Sequence, residues 1–445
     1  MSILSVNKLA LDLVARDFSD GHSPTNAGPT KTSRALAILH LAARDAYARV
    51  TSAFPPRLSG LPSPPSGLGT NDATGAAAVL GAGIRAANLL YPDAAEYIGT
   101  QATILTAGVD PIALFYGSQI ADKWVASRQG DGSSLPQTDD FFSLEPGHHR
   151  HDPVSRLPNL GRAWGRVTPF VLDDVATDAK LNPPPGITTA DYAKAFDDVF
   201  VNGRDDIERR AVEFQRHAAI GIFWAYDGSN KLGTPPRLYN QVVLKAKEFQ
   251  DLSHAQKVNV LAAINTAMAD AGIATWYWKY VYDFWRPVVA IREAEHGSGP
   301  TGRGDKNKHR KQRGDFFWLP LGAPKSNPFP NPLAGAPGSN FTPNFPAYPS
   351  GHAAFGTACF TTFAGLLGTK LEDVAVNFVS DEFNGITTDN EGVGRPQWEQ
   401  LFTLKEAVDQ NKNSRIYLGV HWIFDATGGE VVGAAVAKKV ISAFK

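Results

Sequence analysis

Stretch after stretch of this 445-residue chain repeats apolar residues at intervals of three and four, whereas the period-2 alternation of a half-buried strand is nearly absent. A 3.6-residue period puts one apolar stripe on each helix, and without a sheet such stripes can be buried only against other helices. The pattern predicts helices over Thr32 to Val50, with Ser33 as cap, and over Ala73 to Leu90, Ala94 to Thr106 and Pro111 to Gln129. The Pro-rich stretch from Phe141 to Pro185 reads as irregular coil that divides the chain. Beyond it the periodicity predicts Thr189 to Val201, Ile207 to Ala225, Ser253 to Ala271, Ile273 to Arg292, Gly351 to Leu367, Gln397 to His421 and about Phe424 to Phe444. The expected fold is all-α, with an N-terminal helical region over 1–185 and a C-terminal one over 186–445, packed as one compact unit.

With 43% hydrophobic and 20% charged residues the chain can bury a large core. Its net charge of −1 provides no global pull toward nucleic acid or an anionic membrane, so anion binding must be local. The single cysteine, Cys359, lies in an apolar run, excludes an internal disulfide framework and reads as a packing residue. Met1 to Ala10 lacks a basic start and an unbroken apolar run, and no window of 18 uncharged apolar residues is present. A soluble protein without a membrane or nucleic-acid partner is expected, its compartment open and a homo-oligomer allowed. The basic run from His296 to Arg313 reads as a solvated loop or a surface that steers anions. His148, His149 and His151 read as a loop rather than a metal clip, and His40 as a buried, hydrogen-bonded histidine.

Three C-terminal segments carry chemistry. Lys279 and Arg286 are seven residues apart, nearly two helical turns, and would project from one face of an aromatic-rich helix that Pro287 then bends or ends. Two cations there need either an anion between them or carboxylates elsewhere. Pro349-Ser350-Gly351-His352 opens an apolar helix, so Ser350 or its neighbour would cap it, Gly351 would let backbone amides approach an anion, and His352 could transfer protons near neutrality. Arg415, His421 and Asp425 follow, the last four residues beyond the histidine and able to orient its ring. Together these groups suit a tetrahedral oxyanion, phosphate or vanadate.

The segments resemble those of the vanadium-dependent haloperoxidases and of the type-2 phosphatidic acid phosphatase superfamily, which share one anion site. The likeness to the fungal chloroperoxidase branch extends to Trp224-Ala225-Tyr226-Asp227-Gly228-Ser229-Asn230, Gly233-Thr234-Pro235-Pro236-Arg237, Phe345-Pro346-Ala347-Tyr348, the stretch from Ser33 to Tyr47 and that from Trp318 to Pro324. The resemblance implies two four-helix-type bundles with the active site at the top of the second, and vanadate as cofactor. It implies His421 as the vanadium ligand, Lys279, Arg286, Ser350, Gly351 and Arg415 as partners of the vanadate oxygens, and His352 and Lys279 as catalytic groups. Asp227 would aim Arg415, and Asp425 would back His421. Trp276 and Phe345 match positions that are Trp and Phe in chloroperoxidases, and would wall the halide pocket unless they are ordinary packing residues. The implied reaction oxidises chloride or bromide with hydrogen peroxide to hypohalous acid, which attacks small organic acceptors. The alternative on the same scaffold is an acid phosphatase, with His421 as nucleophile and His352 as general acid. Ile423, where fungal members carry Arg, and the basic loop from Lys306 to Arg313 depart from the pattern.

Overall fold

A computed structural model describes residues 2–19, 24–136, 143–205, 212–328 and 340–445. The start of the helix expected from Ile207, and Phe141 at the head of the coil, lie outside them. The helices are α1 Ser2–Asp17, α2 Gly28–Thr51, α3 Asp72–Leu90, α4 Ala95–Leu105, α5 Pro111–Ser127, α6 Val175–Asp178, α7 Ala190–Asn202 and α8 Val212–Phe223. They continue with α9 Pro235–Lys245, α10 Lys247–Gln250, α11 His254–Tyr282, α12 Pro287–Glu293, α13 Gly351–Leu367, α14 Leu404–Tyr417 and α15 Ile423–Phe444. The protein is mainly helical, as the periodicity demands, and one continuous core runs from Ile3 to Phe444.

Local chemistry sets most helix starts. Asn71 accepts from Thr74 N ahead of α3, Asp110 from Ile112 N ahead of α5, and Thr189 from Tyr192 N ahead of α7. The start of α2 differs from expectation. It begins at Gly28 with Pro29 in the first turn, and Ser33 lies inside the helix, its hydroxyl donating to Thr30 O.

Ser253 and Gln256 form a capping box at the head of α11, which runs 29 residues where two helices were expected. Gly272, read as a break, is retained for space: a Cβ there would stand 2.9 Å from the Phe355 ring. The helix is buried on nearly every side, packed against α2, α13 and α15. By length and composition α3 and α11 could each cross a bilayer, but α11 is 94% buried inside the protein and α3 also packs within it.

The predicted helix over Gln397 to His421 is in part a strand. β1 (Ala375–Val379) and β2 (Glu399–Thr403) pair antiparallel, Ala375 opposite Thr403 and Val379 opposite Glu399. Only Val376 and Phe378 of β1 and Phe402 of β2 turn inward, too short an alternation to stand out in the sequence. Thr403 ends the strand and caps α14 in a box with Glu406.

Glycines bring two helix pairs into backbone contact. A Cβ on Gly81 would sit 2.0 Å from Leu114 O, and one on Gly117 2.0 Å from Ala78 O, so α3 and α5 touch. On α15, Gly429 and Gly433 lie against Ser350 O and Ala354 O of α13. This second contact seats the start of α13 against the start of α15.

Candidate active site

Lys279 and Arg286 do not share a helix. Lys279 is in the last turn of α11, Asp283 closes that helix at φ +50°, and Arg286 is the extended residue immediately before Pro287, the first residue of α12. A residue preceding proline is driven out of the helical region, while proline itself suits a first turn, so Pro287 begins a helix instead of ending one. Both cations are buried.

The Arg286 guanidinium is buried, its Nε donating to Phe345 O at 2.9 Å and its Nη1 to Val420 O at 2.7 Å, with Nη1 also 3.0 Å from His421 Nε2. Its Nη2 has no partner among the described residues. Burial lowers the Arg286 pKa to about 9, with Asp425 acting in the opposite direction. Lys279 Nζ donates to the carbonyls of Pro346, Ala347 and Pro349 at 2.7, 3.0 and 2.6 Å, and lies 5.0 Å from the Phe345 ring centroid. All three of its protons are thereby engaged, and burial followed by the neighbouring Arg286 pushes its pKa well down.

Ser350 stands at the N-cap of α13, yet its hydroxyl makes no capping bond and is buried without a partner among the described residues. Its amide donates to Asp425 O at 2.8 Å, tying α13 to α15. A Cβ on Gly351 would press on the Trp276 ring at 3.3 Å. His352 Nε2 lies 2.6 Å from Ala225 O, a contact that makes Nε2 the protonated nitrogen and leaves the lone pair on Nδ1. Burial, then Arg415, drives the pKa of His352 down to about 3.

Arg415, in the last turn of α14, grips Asp227 with two bonds, Nη1 to Oδ2 at 3.1 Å and Nη2 to Oδ1 at 3.0 Å, and keeps Nε unpartnered. His421 is not on a helix. It precedes α15, after a turn at Gly419 with φ +70°, and Asp425 occupies the third helical position. The expected four-residue pairing therefore forms across a helix start. His421 Nδ1 donates to Asp425 Oδ2 at 2.8 Å, and the same oxygen accepts from Trp422 N at 3.0 Å. Burial raises the Asp425 carboxyl to about 7 and pushes the imidazole well down, with Arg286 reinforcing the latter.

Three buried donors, Arg286 Nη2, Arg415 Nε and Ser350 Oγ, thus come from three separate segments and have no hydrogen-bond partner among the described residues. Each unsatisfied buried donor costs about 1–3 kcal/mol, and more when charged, so the site fits an oxyanion that would satisfy them together. A cavity of about 170 Å³ opens here, lined by Asp227, Gly351, His352, Arg415 and His421 and walled by Trp276 and Phe345, whose rings are 4.8 Å apart. Phe18, Leu160 and Phe341 add apolar lining.

Some groups that hold the site left no mark in the sequence. The carbonyls of Ala225, Phe345 and Val420 bond the functional side chains, and Tyr239 and Asn411 both donate to His352 O. Gly429 and Gly433, spaced like a close-packing pair, were detectable in principle. His148 and His149 bond different partners, Asp283 and Asn159, and no cluster of three metal-ligating side chains occurs among the described residues.

Residues 259–445 match the family of the VCPO second helical-bundle domain. The vanadium chloroperoxidase of Curvularia inaequalis is 31% identical over an alignment of 508 residues that covers 95% of this chain and 79% of that protein. The fold is similar to that of a bacterial vanadium-dependent iodoperoxidase, with TM-score 0.73 and 19% identity over 99% of this chain and 95% of that one. It is also similar to a holo-type bacterial vanadium-dependent chloroperoxidase, with TM-score 0.66 and 18% identity over 95% and 94%. The chain belongs to the vanadium haloperoxidase family.

Proposed function

We propose that this protein oxidises chloride and bromide with hydrogen peroxide to hypohalous acid, using vanadate held at His421. The observation that carries the reading is the set of three partnerless buried donors, Arg286 Nη2, Arg415 Nε and Ser350 Oγ, beside an imidazole whose Nδ1–H is committed to Asp425. That commitment leaves Nε2 unprotonated; its lone pair, which meets Arg286 Nη1 at 3.0 Å, would become the ligand atom on release of that contact, with Asp425 fixing the tautomer. Vanadate, when bound, supplies a Lewis-acidic centre that activates peroxide without a redox change at the metal.

The remaining work falls to the chain's own side chains. Arg286, Arg415 and Ser350, with the amide of Gly351, bind the oxyanion and offset its charge, and Asp227 holds Arg415 in aim. Lys279 adds positive charge from behind and braces the 346–349 backbone, and it reaches the oxyanion only by releasing one of its three carbonyls. His352 accepts a proton at Nδ1 and returns it, its affinity for that proton raised once an anion offsets the surrounding cations. Trp276 and Phe345 deny halide a full hydration shell, which favours the harder oxidation of chloride.

The test is halogenation of a phenolic or dimedone acceptor after loading with vanadate, with peroxide and each halide in turn. Vanadate-dependent turnover of both bromide and chloride is expected. No halogenation, with phosphate-ester hydrolysis that vanadate abolishes, would replace this reading with the phosphatase.

A further inference from the structure

We propose that the loop from Gly304 to Gly314, with the Phe316 and Phe317 rings beside it, is a peripheral docking surface for an anionic lipid bilayer. The loop is a preformed platform. Both of its ends are pinned at one place: Asp305 N donates to Ala294 O at 3.1 Å, and Gly314 N to Glu295 Oε1 at 2.7 Å. Inside it, Arg310 bonds Asp305 Oδ1 at 3.1 Å and Gln312 O at 2.9 Å. Beneath it, Asn307 Nδ2 donates to Ile187 O and Thr189 O, while the amides of Lys311 and Gln312 donate to Asp197.

This bracing turns Lys306, Lys308, Lys311 and Arg313 outward. All four are exposed, and none has an ion-pair partner within 4.0 Å among the described residues. The acidic groups around the loop are already engaged, Glu295 and Asp305 by Arg310, Asp197 by backbone amides, and Asp315 by Arg204 at 3.7 Å. Immediately after the pinned end, Phe316 and Phe317 are 58% and 80% exposed, edge to face at 5.3 Å, while the next residue, Trp318, is buried and anchors the turn. Four unpaired cations beside two projecting phenyl rings, on a protein of net charge −1, match a surface with negative headgroups over an apolar layer. None of these residues lines the anion-site cavity. Nor do the rings suit nucleic acid: they are consecutive and packed on each other, whereas base stacking needs separate open faces along a groove.

The full-length protein is to be sedimented with vesicles of phosphatidylcholine alone and of phosphatidylcholine with phosphatidylserine. Binding only to the phosphatidylserine vesicles, weakened by added salt, is expected. Replacing Lys308→Gln and Lys311→Gln should lower the partition coefficient roughly fivefold each, and Phe317→Ser should lower it further, with circular dichroism and thermal midpoint unchanged. The proposal is overturned by absence of binding, by equal binding to both vesicles, by binding to RNA without vesicle binding, or by self-association that Phe317→Ser abolishes while vesicles are ignored.

Discussion

The His421 imidazole has two nitrogens and a different demand on each: Nδ1–H is given to Asp425, and Nε2 faces Arg286. Asp425→Ala should therefore release the ring and lower vanadate affinity roughly 10–100-fold, read by titrating vanadate into the anion-free protein and following recovered activity. Asp227→Ala should leave Arg415 as a buried cation without its carboxylate. We expect a loss of about 3–5 kcal/mol in urea unfolding of the anion-free protein, and a smaller loss when vanadate is present. Away from the site, His40 is fully buried between Leu36 O and the Asn7 side chain, and burial lowers its pKa to about 4. Because the unfolded chain binds the proton more tightly, stability should fall as pH drops from about 6.5 toward 4, by about 3 kcal/mol in all. Comparing the pH dependence of unfolding in wild type and His40→Gln checks this: the variant should lack that part of the slope.

Among the elements, α3 and α5 depend on Gly117 for contact, whereas Gly99 on α4 has nothing within 4 Å of where a Cβ would be. The same substitution should then have opposite signs. Gly117→Ala is expected to destabilise by about 1–3 kcal/mol through overpacking, and Gly99→Ala to stabilise by about 0.5–1 kcal/mol through helix propensity, both measured by chemical unfolding. Helix positions were legible in the sequence because burial repeats every three to four residues and caps such as Asn71, Asp110 and Thr189 punctuate it. Others were not: α1 and α9 had no expected counterpart, α2 begins earlier, at Gly28, and α11 ends before Arg286. The join of the helices expected on either side of Gly272 depends on the ring of Phe355, a residue 83 positions away, and the β1–β2 ribbon depends on pairing across an intervening segment.

For the whole molecule, an anion that bonds donors just ahead of α12, just ahead of α13 and in α14 should stabilise the fold as a unit, since those donors do not converge in the unfolded chain. Vanadate at about 100 times its dissociation constant should add about 2.7 kcal/mol, seen as a rise in thermal midpoint that Arg286→Ala abolishes. Phosphate should compete for the same increment.

Residue chemistry and its order along the chain were sufficient to determine a helical protein and to single out Lys279, Arg286, Ser350, Gly351, His352, Arg415, His421 and Asp425 as candidates for an oxyanion site, because side-chain type and local periodicity are one-dimensional properties. Which atoms remain for the anion was decided only by the tertiary structure. Lys279 spends its protons on three carbonyls, Arg286 leaves its helix-mate for a position before Pro287, and Ser350 forgoes its cap, since each hydrogen bond is settled by partners that folding brings from distant segments.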